Sequence, residues 1–372
     1  DEALQMIVDS GTYVTPTLSH RTDHAIDIRR NIGTPEFTLK KMKKIQPYAF
    51  ETFQKMSDKG VVVFNTPGAN ANAVKELVIS SMLLASRNIC QAWDYVNNLP
   101  LENLKATVED GKKQYSGSEL PGKTLGIVGL GAIGVEIANA AYTLGMDVIG
   151  FDPSITKKNA WKISAEVEEA LTIEELFSKS DFVSFHVPLV DATKNLLNAK
   201  RIALLPNGSV IINLSRDGIV DEDALMKALD SGKVKYYVTD FPINDKKNHD
   251  RVIALPHLGA STSEAEDNCA VMIAKQIKDY LENGNIVNSV NFPDARMPRA
   301  GKERLAITHR NIPNMVRQIT KAIAEEEANI LDMINKSRGD FAYTLIDLEN
   351  EISNTAIENI QRVEGILTVR AL

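Results

Sequence analysis

From Gly122 to His257 the chain alternates short apolar runs with stretches of helical spacing. Runs at Leu125–Leu130, Val148–Asp152, Asp181–Val187, Ser209–Leu214, Tyr236–Phe241 and Arg251–Leu255 predict strands. Ala132–Leu144, Thr172–Ser178 and Asp221–Asp230 predict helices, the last opened by acidic residues that suit the positive end of its dipole. This alternation implies right-handed crossover units and a buried, doubly wound parallel sheet. Helical periodicity also covers Asn70–Asn88, and Ser263–Glu282 up to a stop at Asn283-Gly284. Beyond a linker with Pro293 and Pro298, the pattern changes. Ala306–Thr308, Ile330–Ser337, Ala342–Leu348 and Ile366–Ala371 predict strands, with helices at Met315–Glu326 and Thr355–Ile360. Two strand–helix–strand halves of this kind predict a ferredoxin-like sandwich. Residues 1–59 follow neither pattern and hold only helix-like stretches, Glu36–Ile45 and Tyr48–Ser57. The expected division is therefore 1–59, 60–290, a linker at 291–300, and 301–372.

Composition narrows the function classes. The 372 residues are 44% hydrophobic and 24% charged, which excludes a disordered chain and a small disulfide scaffold. The formal net charge of −7 offers no global basic field for nucleic acid or an anionic membrane. Only Cys90 and Cys269 occur, as in a reducing, cytoplasmic setting, and both lack the cationic neighbours of a reactive thiol. No uncharged apolar run reaches the roughly 18 residues of a membrane span. The chain opens Asp-Glu-Ala-Leu, without an initiator Met, and reads as starting inside a longer protein.

Gly129-Leu130-Gly131-Ala132-Ile133-Gly134 is a GxGxxG sequence in a specific context. A predicted strand precedes it, a helix follows, and Asp152 ends the next strand about 20 residues on. Gly129 permits the tight turn, Gly131 lets the backbone approach a pyrophosphate, and Gly134 lets helix and strand pack closely. The helix start at Ala132 and Ile133 supplies amides and dipole to the phosphates. Asp152 suits the adenosine ribose diol, and with Pro153-Ser154 following it favours NAD over NADP. The fold class is thus a Rossmann-type α/β sheet with a ferredoxin-like C-terminal part. The competing reading of the glycines is a turn in an α/β protein that binds no dinucleotide.

Arg216, Asp240 and His257 lie at or just beyond the carboxyl ends of predicted strands, where open α/β sheets bind ligands. Hydride removal from an alcohol needs a base for the hydroxyl proton and a cation for a carboxylate. His257 supplies the first and Arg216 the second. Against this stands the plain alternative of surface salt bridges.

Several stretches carry a family resemblance. Gly60-Val61-Val62-Val63-Phe64-Asn65-Thr66-Pro67-Gly68, the glycine motif, His186-Val187-Pro188-Leu189, Asn213-Leu214-Ser215-Arg216 and Pro256-His257-Leu258-Gly259-Ala260-Ser261-Thr262 are the main ones. With them, residues 60–372 resemble the phosphoglycerate dehydrogenase branch of the D-2-hydroxyacid dehydrogenases. His309-Arg310-Asn311-Ile312-Pro313 with Ala328-Asn329-Ile330 resembles an ACT regulatory domain. The resemblance implies NAD-dependent oxidation of 3-phosphoglycerate, the entry step of serine synthesis, by a homodimer or homotetramer. It implies Arg216 as the substrate-orienting cation, His257 as general acid/base, and Asp240 as the acid near the nicotinamide carboxamide. His186 and Pro188 shape the adenine side. His309, Asn311 and Asn329 match serine-contacting positions. Lys112 is either a substrate-phosphate contact or an ordinary exposed residue.

The sequence also departs from that pattern. The family places a Glu opposite its histidine; here Asn244 stands there, and Asp245 is the candidate carboxylate partner. Asp217 follows Arg216 where the family has Gly, and Asn314 replaces a Gly after Pro313. Residues 1–59 lack the family's substrate-holding Arg-Ser pair and glycine-asparagine loop, and resemble instead a piece of an amidohydrolase barrel. A fusion, a misassembled gene or a recombined one is the expectation there, with a divergent substrate domain as the alternative. His20 and His24 have zinc-like spacing without a general-base Glu, so no metal is expected. Two further readings stay open: another D-2-hydroxyacid dehydrogenase, or an inactive NAD-binding or amino-acid-sensing protein.

Overall fold

The computed structural model describes residues 51–242 and 249–372. Contacts divide it into two compact units, Gly68–Asn268 and a second formed by residues 51–67 with Cys269–Leu372. Asn244 and Asp245, His20 and His24, the predicted helix at Glu36–Ile45 and the first three residues of the one at Tyr48–Ser57 lie outside the described residues; the remainder of that second stretch, 51–57, is helical as expected.

The first unit opens with three helices, α1 (Ala71–Ser86), α2 (Ile89–Asn97) and α3 (Leu104–Gly111). Strands and helices then alternate as the pattern predicts. They are β1 (Thr124–Val128), α4 (Ala132–Thr143), β2 (Asp147–Phe151), α5 (Lys157–Ala160), β3 (Glu168–Glu169), α6 (Ile173–Lys179) and β4 (Phe182–Phe185). After these come α7 (Ala199–Leu204), β5 (Ser209–Asn213), α8 (Glu222–Asp230), β6 (Val234–Thr239) and β7 (Val252–Ala254). The sheet is parallel throughout, in the order β3-β2-β1-β4-β5-β6-β7. Its order reverses between β1 and β4, which opens a crevice at their carboxyl ends. One face packs Phe177, Phe185, Ile211 and Leu225; the other packs Val78, Met82, Ile127 and Ile137. Central strands are buried on both faces, so they read as unbroken apolar runs.

Helix α9 (Ser263–Asn283) crosses the boundary between the units. The second unit then runs β8 (Glu303–Arg310), α10 (Met315–Ala324), β9 (Ile330–Arg338), β10 (Phe341–Leu348), α11 (Asn354–Gln361) and β11 (Ile366–Ala371). The antiparallel order β11-β8-β10-β9 is the ferredoxin-like arrangement. One sheet face holds Leu305, Ile307, Ile346 and Leu348 against Ile319, Ile323 and Ile360. The other holds Ala306, Tyr343 and Leu345 against Val62, Phe64, Tyr280 and Phe292. The stretch 291–300 is irregular, as its prolines require, yet it is not a loose tether. Phe292 and Ala295 are fully buried, and the Asn291 amide bonds Ser57, Val61 and Val63.

Arginines close the end of α9. Arg370 donates to the carbonyls of Tyr280 and Leu281, Arg299 to Glu282, and Arg304 to Asn283. The last four carbonyls of a helix have no partner within it, and cations there also meet the negative dipole end. Arg304 is 0% exposed and pairs with the equally buried Asp347 at 2.5 Å. Asn314 adopts φ +74° before α10, a left-handed conformation that Asn tolerates better than other side chains.

Candidate active site

The glycine loop leaves β1 and enters α4. Gly129 has φ +95°, and a Cβ on it would lie 2.6 Å from the carbonyl oxygen of His186. A Cβ on Gly134 would collide with the Gly129 carbonyl, whereas one on Gly131 would meet nothing within 4 Å. So Gly129 and Gly134 serve packing, and Gly131 borders open space. No side chain caps α4 at its Gly131 N-cap, which leaves the first amides, at Ala132 and Ile133, without a side-chain acceptor. An uncapped helix start beside an open backbone edge fits a pyrophosphate. NAD fits these residues, and they would hold its phosphates.

Asp152 follows β2 and faces the loop: Oδ2 accepts from the Leu130 amide at 2.8 Å and Oδ1 from the Ser154 amide at 2.9 Å. Oδ1 also accepts from the Ser154 hydroxyl at 3.4 Å, whereas Oδ2, with its single amide donor, keeps a lone pair for a ribose hydroxyl. His186 extends β4, its amide donating to Val128. Its ring bonds the Ser184 hydroxyl at 2.8 Å, and burial pushes its pKa down to about 3. The imidazole is therefore neutral near pH 7 and acts as part of the wall. Thr193 donates to the Pro188 carbonyl at 2.6 Å and fixes the turn after β4.

Arg216 sits in a turn after β5 that Asn213 closes. The Asn213 amide donates to the Arg216 carbonyl at 2.8 Å and accepts from the Ser215 amide at 3.2 Å. Asn213 is itself buried, and its carbonyl accepts from the Thr239 hydroxyl at 3.0 Å. The Ser215 hydroxyl ties the same turn to Val187 at 2.7 Å. The guanidinium is left exposed. Asp217 bonds the Gly218 amide at 2.7 Å, so its carboxylate serves the turn. No ion pair with Arg216 occurs among the described residues.

Asp240 follows β6 and is buried. Its Oδ2 accepts from the Gly259 amide at 3.2 Å, which fixes the turn just after His257. Burial raises its pKa, and the nearby charges of His257 and Arg216 oppose that rise. The structure thus brings these three groups into one electrostatic neighbourhood. Among the described residues Asp240 Oδ1 is buried without a hydrogen-bond partner. Native structures rarely leave such an atom unpaired, and an amide donor from a ligand would satisfy it. His257 is exposed and packs on the Phe241 ring, centroids 4.8 Å apart.

Other expected residues fall elsewhere. Lys112 lies in a short 3₁₀ turn, exposed and ion-paired with Glu109. In the second unit His309 is buried, its Nε2 meeting Thr344 at 2.9 Å and Asn335 at 3.2 Å. Asn311 donates to the Gly339 carbonyl, and Asn329 bonds Glu349. No hydrogen bond joins Asn329 to His309 or Asn311 among the described residues. Asn213, Ser184, Ser215 and Phe241 escaped the sequence reading as site-builders. Asn213 alone carried a signal, a polar residue ending an apolar strand.

Comparison with known proteins agrees with this geometry. Residues 79–259 match the family described as D-isomer specific 2-hydroxyacid dehydrogenase, NAD binding domain. The chain is 35% identical over 329 residues to D-3-phosphoglycerate dehydrogenase of Haemophilus influenzae, spanning 84% of this chain and 76% of that one. It is 34% identical over 328 residues to the enzyme of the same name from Escherichia coli, at the same coverage. A solved glyoxylate reductase from Paecilomyes thermophila superposes with a TM-score of 0.51 at 28% identity, over 62% of this chain and 68% of its own. No helix among the described residues is long and apolar enough to cross a membrane. The crevice at the switch point, the glycine cradle and the matching relatives lead to one conclusion: the chain belongs to the D-isomer specific 2-hydroxyacid dehydrogenase family and is an NAD-dependent enzyme of that family.

Proposed function

We propose that this protein oxidises D-3-phosphoglycerate to 3-phosphohydroxypyruvate, the entry reaction of serine synthesis, as a cytoplasmic homodimer or homotetramer. The observation that carries the reading is that Arg216, Asp240 and His257 follow the ends of β5, β6 and β7, on the same edge of the parallel sheet as the glycine loop after β1. The substrate is assigned from the names of the curated relatives.

In this reading NAD, when bound, would supply the acceptor for the hydride that leaves C2 of the hydroxy acid. Arg216 holds the substrate carboxylate with its two-pronged guanidinium. His257 takes the hydroxyl proton as the C–H bond breaks, so the products are a 2-oxo acid, reduced cofactor and one proton. Asp240 would hold the cofactor's carboxamide, since its buried Oδ1 has no hydrogen-bond partner among the described residues. Asp245 supplies the carboxylate that steadies the protonated imidazole. Lys112 lends charge to the substrate phosphate. Residues 301–372 form an ACT-type domain that binds serine near His309, Asn311 and Asn329; the ferredoxin-like strand order supports this.

The atypical residues 1–59 bear on turnover. Orienting two reactants contributes several kcal/mol, so turnover requires that residues 1–59 or a neighbouring subunit complete the substrate wall, whereas cofactor binding does not. The test is NADH oxidation by 3-phosphohydroxypyruvate under single-turnover conditions, enzyme in excess. Rapid oxidation is expected. NADH binding without oxidation would overturn the dehydrogenase reading in favour of a dinucleotide-binding scaffold. Equal rates with a non-phosphorylated 2-oxo acid would overturn the substrate assignment. Unchanged activity and thermal midpoint in millimolar serine would overturn the effector assignment.

A further inference from the structure

The glycine loop is fastened on two sides, and one fastener has no place in the reading above. Leu130 sits between Gly129 and Gly131, the two most permissive residues of the loop. Its amide donates to Asp152 Oδ2 at 2.8 Å, and its carbonyl accepts from the side-chain amide of Asn159 at 3.2 Å. Asn159 lies in α5, 29 residues further along the chain. It is held there in turn. Its own amide bonds Thr156, and Asn139 on α4 bonds the Lys162 carbonyl and the Ser164 amide, both at 2.8 Å.

The Leu130 carbonyl and the Gly131 amide belong to one planar trans peptide and point in opposite directions. Fixing the carbonyl therefore fixes the amide. Beside a glycine this peptide plane can flip at little steric cost. A flipped plane would present a carbonyl oxygen where a phosphate needs an N–H donor.

We propose that Asn159 is a positioning residue for NAD: by holding the Leu130 carbonyl it keeps the Leu130–Gly131 peptide in the phosphate-binding orientation before the cofactor arrives. The ordering cost is then met in folding and not in binding. One net hydrogen bond of this kind corresponds to a change of about 3–10-fold in affinity.

The experiment titrates NADH into the full chain by fluorescence. Asn159→Ala should weaken NADH binding about 3–10-fold and raise KM for NAD by the same factor, with kcat at saturating cofactor unchanged. Asn159→Gln, which keeps a donor, should recover part of the loss; Asn159→Asp, which cannot donate, should not. Asn139→Ala controls for loosening of the whole segment, because its bonds do not reach the glycine loop. Unaltered NADH affinity in Asn159→Ala would overturn the proposal. So would an equal loss in Asn139→Ala, since the effect would then belong to the segment and not to the Leu130 contact.

Discussion

The two units handle buried polarity in opposite ways. In the antiparallel unit the buried Arg304, Glu303 and His309 each have a partner inside the fold. Arg304 meets Asp347 and three carbonyls, Glu303 accepts from the Ile352 amide, and His309 meets Thr344 and Asn335. In the parallel unit, among the described residues, the strand ends leave Asp240 Oδ1 unpaired, Gly131 facing open space and the α4 N-terminus without a side-chain cap. A satisfied network specifies a structure; an unsatisfied one leaves room for a ligand.

The largest break in this contrast should come from Arg304→Ala. It strands Asp347 as an uncompensated buried charge and frees the last carbonyl of α9, so a loss of about 3–5 kcal/mol is expected in denaturant unfolding. NADH affinity of the folded variant should not change. If that affinity collapses, the units do not divide their labour as described.

Gly134→Ala should come next. Its Cβ collides with the Gly129 carbonyl, a backbone atom that cannot yield without distorting the cradle. Overpacking of this sort costs about 1–3 kcal/mol, and NADH binding should weaken by more than tenfold. Gly131→Ala should spare stability and still weaken NADH binding, because its Cβ enters the space kept for the phosphates.

His186 gives a pH signature. Its folded pKa, about 3, lies below that of a free histidine. Below about pH 6.5 the unfolded chain takes up a proton that the native ring refuses, so stability falls as pH drops from 6.5 towards 3. The ring is only half-buried by surface, so a contribution of about 1–2 kcal/mol at pH 5 is expected. His186→Gln should flatten this dependence in thermal melts at pH 5 and pH 7.

Asp240→Asn should have the smallest effect on stability, and in the opposite direction. A raised carboxyl pKa means that the native state holds its proton more tightly than the unfolded chain. Stability therefore declines as pH rises through the interval above the ordinary aspartate value, about 3.9. Asn carries no charge and still accepts from the Gly259 amide. The variant should melt slightly higher at pH 7 and no higher below pH 3.9, while turnover falls about 10-fold or more. A lower midpoint at pH 7 would show that the charged form is stabilised in place.

Much of this was legible in the chain. Strands β1, β2, β4, β5 and β6 were located to within a few residues, because strands covered on both faces must be apolar throughout. The glycine motif and Asp152 were legible because each glycine answers a local steric demand. Other elements left weak traces. β3 is two glutamates at a sheet edge and α3 buries no residue, while α2 has an apolar stripe of Ile89, Trp93 and Val96 that it leaves exposed. The short helix α7 buries only Ile202.

The sequence by itself determined the crossover fold, the nucleotide cradle and the polar residues at the strand ends. Each follows from side-chain period or backbone sterics over a few neighbouring positions. The tertiary structure alone decided what those residues touch. Asn291 reaches Val61 across 230 positions, Arg304 finds Asp347 across 43, and Asn159 finds Leu130 across 29. Such pairs carry no local signature, because the free energy that selects them depends on burial, and burial exists only once the sheets have formed.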